Sequence, residues 1–232
     1  MDNFKDLWAE LNESLKNHLD NHTFWNSINQ EWKKLFESPA SWWDELSPEW
    51  QSTLKASIQL YDSNKRPNLD QIKSILQIQK LDCSDTSIVN LNPVKNLKFL
   101  QEINLSNTQI VSLDALQYLP NLLKINCSNT SIHDLKPLRK LITLRSLDCS
   151  FTDIDDLSPL KKLIYLKELN CNNTYIKHLK PIYALDKLRE LHIDQTPLSA
   201  RSIRSFQKKY PQVQVYFTST PKTHRRWWLL GF

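Results

Sequence analysis

From about residue 78 onward, apolar and polar residues follow one another in two rhythms. In "INCSNTSIHDLKPLRKL", residues 125–141, Ile125 and Cys127 lie two apart, and then Ile132, Leu135, Leu138 and Leu141 lie three apart. The two-residue rhythm predicts a short strand whose successive side chains face opposite ways. The three-residue rhythm is too wide for a strand and too strict for an ordinary surface helix. It predicts tight extended or 3₁₀ segments with about three residues per turn. Pro93, Pro137, Pro159 and Pro181 fall in one column of that second half and disfavour a regular α-helix there.

The whole pattern returns every 22 residues. "LDCSDTSIVNLNPVKNL" spans 81–97, "INLSNTQIVSLDALQYL" 103–119, "LDCSFTDIDDLSPLKKL" 147–163 and "LNCNNTYIKHLKPIYAL" 169–185. A looser copy begins at 191, and the spacing of 22 carries Leu191 and Ile193 onto Val213 and Val215. One such unit cannot bury its own apolar side, so neighbours must stack.

These units resemble the leucine-rich repeat family, in particular its internalin-like and phosphatase-regulator (SDS22-like) subgroups, over about 78–217. The resemblance implies an α/β solenoid with parallel β strands on a concave face and a 3₁₀ or extended convex side. An α-helical N-terminal cap and a helix–strand C-terminal cap would close its two ends. It also implies a non-enzymatic protein that binds a partner protein through the concave face, and the phosphatase-regulator subgroup implies that this partner could be an enzyme it regulates.

Within a unit, Leu147 and Cys149 are expected inside, and Asp148 and Ser150 outside. Thr86, Thr108, Thr130, Thr152, Thr174 and Thr196 stand where the family usually has asparagine. A buried hydroxyl needs a partner, so these are expected to bond to backbone. Cys83, Cys127, Cys149 and Cys171 share one column with Leu105 and Ile193 and form no C-x-x-C pair. They are expected to be packed, reduced core thiols, in keeping with a cytoplasmic setting.

A solenoid end exposes a layer of apolar side chains worth about 1.5–3 kcal/mol each when buried, so both ends need covering. At the C-terminal end, Ile203, Phe206 and Tyr210 lie on one helical stripe of 198–210, before a last strand near 213–217. At the N-terminal end, 7–19, 24–36 and 42–54 align as three helical units with the columns Trp8, Leu11, Leu15, Leu19; Trp25, Ile28, Trp32, Phe36; and Trp43, Leu46, Trp50, Leu54. Each set is expected on one helix face as core, with a partner-binding groove as the other reading. Ser47-Pro48-Glu49 is a helix start, and 68–76 is a further short helix. The expected organisation is a Trp-rich helical cap region at 1–76, the solenoid with its C-terminal cap at 77–217, and a basic, aromatic tail at 218–232.

Charge follows the same division. Residues 1–76 hold 8 basic and 12 acidic side chains, 77–217 hold 19 and 13, and the tail adds three basic ones. A single glycine, Gly231, excludes the P-loop, the dinucleotide fingerprint and the G-x-S-x-G elbow, all of which need close backbone approach. No stretch approaches the roughly 18 apolar residues of a membrane helix, and the N-terminus does not resemble a secretory signal.

The outward strand positions form ladders, and the partner site is expected among Asn104, Asn126, Asp148, Phe151, Glu168, Asn170, Tyr175, Glu190, His192 and Asp194. Phe151 and Tyr175 are the aromatic anchors. Glu190, His192 and Asp194 imitate an acid–base set, but no nucleophile with an oxyanion hole accompanies them, and the six histidines lack metal-ligand spacing. No catalytic residues, metal or cofactor are expected. The alternative is a nucleic-acid or membrane-surface adaptor. It would use a basic back (Lys95, Lys98, Arg139, Lys140, Lys161, Lys162, Lys180) and the tail residues Arg225, Arg226, Trp227 and Trp228. The expectation is a cytoplasmic monomer whose ligand is another protein.

Overall fold

The computed structural model describes residues 39–61 and 65–218. The chain divides into two compact units, Met1–Asp44 and Glu45–Phe232. Of the first, only helix α1 (Pro39–Asp44) is described, with Trp42 and Trp43 buried. The aligned segments 7–19 and 24–36 lie outside the described residues, as does the tail from 219.

The second unit is one seven-stranded parallel sheet in sequence order: β1 (Lys80–Asp82), β2 (Glu102–Asn104), β3 (Lys124–Asn126), β4 (Ser146–Asp148), β5 (Glu168–Asn170), β6 (Glu190–His192) and β7 (Gln214–Tyr216). Five 3₁₀ turns lie between successive strands: Asn92–Asn96, Asp114–Tyr118, Lys136–Lys140, Ser158–Lys162 and Lys180–Ala184. Four of them have proline in the first turn, where its missing N–H leaves no bond unmade. The register Leu81↔Ile103↔Ile125↔Leu147↔Leu169↔Leu191 stacks the strand leucines and isoleucines into one column. These residues, the cysteine column and the three-spaced leucines are all buried.

Each unit leaves its strand through the same turn. The residue before the threonine has a positive φ in all six copies: Asp85, Asn107, Asn129, Phe151, Asn173 and Gln195, between 52° and 58°. The threonine that follows donates its hydroxyl to the carbonyl three residues back. Thr86 bonds to Cys83, Thr108 to Leu105, Thr130 to Cys127, Thr152 to Cys149, Thr174 to Cys171 and Thr196 to Ile193, at 2.5–2.8 Å. The expected backbone bonds are therefore present in every copy. Replacing buried Thr130 by valine keeps the shape and removes the donor to the Cys127 carbonyl. It is expected to cost about 1–3 kcal/mol in urea denaturation, and a loss below a few tenths would show that water serves that carbonyl as well.

The ends differ from expectation in two places. Trp43, Leu46, Trp50 and Leu54 are all buried, but they do not share one helix. Helix α1 ends at Asp44 and α2 (Pro48–Ser57) begins anew. Proline pushes the preceding residue out of the helical region, and Ser47 is extended at ψ 157°, its hydroxyl accepting from the Trp50 N–H. Within the second unit, α2 packs against β1, and α3 (Leu69–Leu76), closed by an Asn68/Gln71 capping box, packs against α2. The Trp50 indole N–H donates to the Asn90 carbonyl of the first repeat at 3.1 Å.

At the far end, Val215 pairs with Leu191 rather than with Ile193, so the last unit is two residues longer than the period of 22. The cause is helix α4 (Ala200–Lys209), which advances only about 1.5 Å per residue where the other units use a 3₁₀ turn rising about 2 Å. A slip of two preserves which face each side chain occupies, so Val213 stays buried and Tyr216 joins the exposed face.

Candidate functional site

The exposed sheet face carries the predicted ladders. Asp82, Asn104, Asn126, Asp148, Asn170 and His192 stand one strand apart in register. Most of these side chains already have a task. The Oδ1 atoms of Asp82, Asn104, Asn126, Asp148 and Asn170 each accept the N–H two residues on, at 2.9–3.2 Å. They shape the strand exit as Asx turns. The hydroxyl of Ser84, and then its N–H, hold the Asp82 carboxyl below its ordinary value. Asn170 also donates to Asp148 Oδ2 at 2.9 Å. Ser150, expected outside, is buried, with its hydroxyl turned back 2.6 Å to Asp148.

At the β6–β7 end, the His192 ring stacks on Tyr216 with centroids 4.3 Å apart and planes at 11°. Its Nε2 lies 3.8 Å from Glu190 Oε2. Asp194 Oδ1 accepts from both the N–H and the hydroxyl of Thr218. Glu190 and His192 thus face each other, whereas Asp194 Oδ1 is held by Thr218. Glu168, one strand in from Glu190, is exposed.

The left-handed column forms a second ladder at the strand-exit edge. The Asn129 amide donates to Asn107 at 2.7 Å, and that of Asn107 donates to Asp85 at 2.8 Å. Phe151 interrupts this run at φ 55°, with its side chain 58% exposed. Tyr175, 47% exposed, lies on the same edge in the next unit. The sequence signal for this column is an Asp or Asn directly before the threonine in four of six copies, a residue type that also suits plain solvated turns.

Arg139, Lys140, Lys161, Lys162 and Lys180 are exposed on the side opposite the sheet. Lys98, expected among them, is buried, with its amine 3.5 Å from the Tyr118 carbonyl and 5.9 Å from the centre of that ring. Its aliphatic stem covers apolar surface, which removes it from the basic back. The four thiols are free and buried, and burial pushes that of Cys83 up to about 12. Among the described residues there is no group of three or more side chains suited to hold a metal, and no helix is long and apolar enough to cross a membrane. The tail residues Arg225, Arg226, Trp227 and Trp228 lie outside the described residues.

No family model matches the chain, and no curated protein does. Solved structures do. An internalin from Listeria monocytogenes is similar at TM-score 0.58 and 21% identity, over 73% of this chain and 54% of that one. Internalin C2 of the same organism is similar at TM-score 0.57 and 19% identity, over 75% and 86%. A leucine-rich repeat protein of Leptospira interrogans is similar at TM-score 0.59 and 24% identity, over 69% and 44%. This is the leucine-rich repeat fold. The chain spans about half the length of the first and third of these proteins. In leucine-rich repeat terms, Phe151 and Tyr175 lie at the strand-exit edge of the fourth and fifth repeats, and Glu190, His192 and Tyr216 lie on the sheet face at the C-terminal end.

Proposed function

We propose that this chain is a non-enzymatic, monomeric leucine-rich repeat module that holds a partner protein on its concave sheet face, anchored at the exit edge by Phe151 and Tyr175. Phe151 carries the proposal. A bulky residue in the left-handed region costs about 1–2 kcal/mol, whereas the other holders of the column are Asp, Asn and Gln. Its ring is more exposed than buried, so packing within the chain offsets little of that cost. Strain kept at an exposed aromatic is a mark of binding sites, and aromatic anchors dominate protein interfaces. Glu168 and Glu190, at the starts of β5 and β6 on the same sheet, suit a polar or basic partner surface. The resemblance to phosphatase regulators suggests an enzyme as that partner, and four unpaired thiols suit a cytoplasmic setting.

The test separates stability from binding. Phe151→Asn is expected to raise stability by about 1 kcal/mol, because Asn tolerates the left-handed region and extends the amide ladder. The same change is expected to weaken partner capture by about thirtyfold, the effect of losing an anchor of about 2 kcal/mol. Tyr175→Ser should lose the same partner with stability unchanged. A Phe151→Asn protein that is less stable, or that retains the wild-type partner in affinity capture with mass spectrometry, would contradict the proposal.

A further inference from the structure

The strongest charge segregation lies away from the sheet face, on the edge where each 3₁₀ turn leads back into the next strand. Over 139–145, 161–167 and 183–189 the chain carries eight basic residues and one acid, Asp186. The equivalent strand-exit segments, 128–134, 150–156 and 172–178, carry four acids and one lysine. The basic residues are placed by the repeat. Arg139 and Lys140 end one 3₁₀ turn, Lys161 and Lys162 end the next, and all four are exposed. Arg145, Lys167 and Arg189 form a column just before β4, β5 and β6, tied by backbone bonds from Lys167 N–H to the Arg145 carbonyl and from Arg189 N–H to the Lys167 carbonyl, at 2.7 and 2.8 Å. They therefore stand about one strand spacing, some 4.8 Å, apart. Among the described residues, none of Arg139, Arg145, Lys161, Lys162 or Lys167 forms an ion pair.

Between the two basic rows lie apolar side chains. Ile164 is 51% exposed and Tyr165 52% exposed, and Ile142, one repeat back in the Ile164 column, is half-buried. In this fold the neighbouring leucines of the same loop, Leu163 and Leu166, are fully buried. Ile164 and Tyr165 are thus the positions of the loop that the repeat does not need for its core.

We infer that this return edge of the third to fifth repeats docks on an anionic membrane surface. The two basic rows would face acidic headgroups, with Ile164 entering the headgroup–acyl boundary and Tyr165 lying at it. Each lysine or arginine near such a surface adds to the attraction at physiological ionic strength, and tyrosine favours the interface. An anionic bilayer fits better than nucleic acid, because an isoleucine gives nothing to a phosphate backbone or a base edge. It also fits a repetitive, evenly spaced row of charges, since a bilayer is itself repetitive. The site does not involve Phe151 or the sheet face, so it stands apart from the partner-binding proposal.

The test uses the full chain in sedimentation with vesicles of phosphatidylcholine containing about 30% phosphatidylserine, against vesicles of phosphatidylcholine alone. The wild-type chain is expected to sediment with the anionic vesicles only, and to be released by about 0.5 M salt, where the Debye length falls below the charge spacing. Lys161→Glu with Lys162→Glu should weaken binding tenfold or more. Ile164→Ser with Tyr165→Ser should weaken it severalfold, and Phe151→Asn should leave it unchanged. All four substituted flank residues are exposed, so circular dichroism and melting should match the wild type. The inference is overturned if the anionic vesicles do not bind the chain. It is equally overturned if both double variants bind as the wild type does, which would place any binding elsewhere in the chain. A single-stranded RNA or polyglutamate that binds as tightly, and that ignores the Ile164/Tyr165 change, would overturn it in favour of a soluble polyanion.

Discussion

Phe206→Ala is expected to remove about 3–5 kcal/mol of stability, the usual loss for a fully buried phenylalanine cut to alanine. Phe206 is 1% exposed on the inner face of α4. Its ring meets Tyr210 at 4.9 Å and Tyr183 at 5.9 Å. Tyr210 in turn donates its hydroxyl to the Tyr183 carbonyl at 2.6 Å, and the Lys209 amine sits 4.6 Å from the centre of the Tyr183 ring. Tyr183 belongs to the 3₁₀ turn of the preceding repeat, so this cluster fastens the cap helix to the stack. In a stack where each layer touches only its neighbours, damage at one end opens that end first. Amide exchange should therefore accelerate most at Gln214 and Ile193, whose N–H groups bond to Arg189 and Tyr216 across β6 and β7, and least between β2 and β3. A loss below about 1 kcal/mol, or acceleration spread evenly over all strands, would mean that α4 is not what closes the stack.

The sequence made this cap legible in outline, and the reason is the period. A 22-residue repeat turns every position into a column, so one physical argument about Thr130 or Cys149 holds for its equivalents. That is why the threonine bonds, the buried thiols and the 3₁₀ turns follow from the residues alone. The columns fail where one unit departs from the others. The last strand is displaced by two because α4 uses more residues per ångström than a 3₁₀ turn, and period counting is blind to rise per residue. Trp43 and Trp50 align with the other tryptophans, yet Ser47-Pro48 forbids one helix through them. The same dipeptide that starts α2 is equally a helix stop.

The candidate site was less legible than the fold, because an outward position says nothing about whether its polar atoms are free. Asn104, Asn126, Asp148 and Asn170 look available in a list of outward residues, whereas their Oδ1 atoms close turns on the following N–H groups. Phe151 was legible as an aromatic anchor. That it sits at a positive φ required backbone geometry, since the Asp and Asn residues of the column hide the constraint by tolerating it. Arg145, Lys167 and Arg189 recur at the period of 22, and the structure sets them side by side just before β4, β5 and β6.

The thiol column has a consequence at alkaline pH. Burial pushes Cys83 up to about 12. Cys127 is raised well above its ordinary value, first by burial and then by the neighbouring Cys149. Cys149 is raised likewise, first by its contact with Cys171, whose sulfur is 3.6 Å away, and then by burial. In the unfolded chain a thiol ionises near 8.5. Above that pH the unfolded state gives up protons that the folded state keeps, so the folded state binds more protons and stability falls as pH rises. The contribution of each thiol is complete below about 8.5 and is lost progressively toward its folded value, about 12 for Cys83. Within that window each raised thiol steepens the loss by about 1 kcal/mol per pH unit. Denaturant titrations between about pH 9 and 11 should therefore show a steep decline. Cys127→Ala with Cys149→Ala, compared as a slope so that the cavity cost cancels, should flatten it by about twice the share of a single thiol. Lysine and tyrosine ionisation is common to both proteins and drops out of the difference. Equal slopes in the two proteins would mean that these thiols ionise in the folded state, and that their column is open to water.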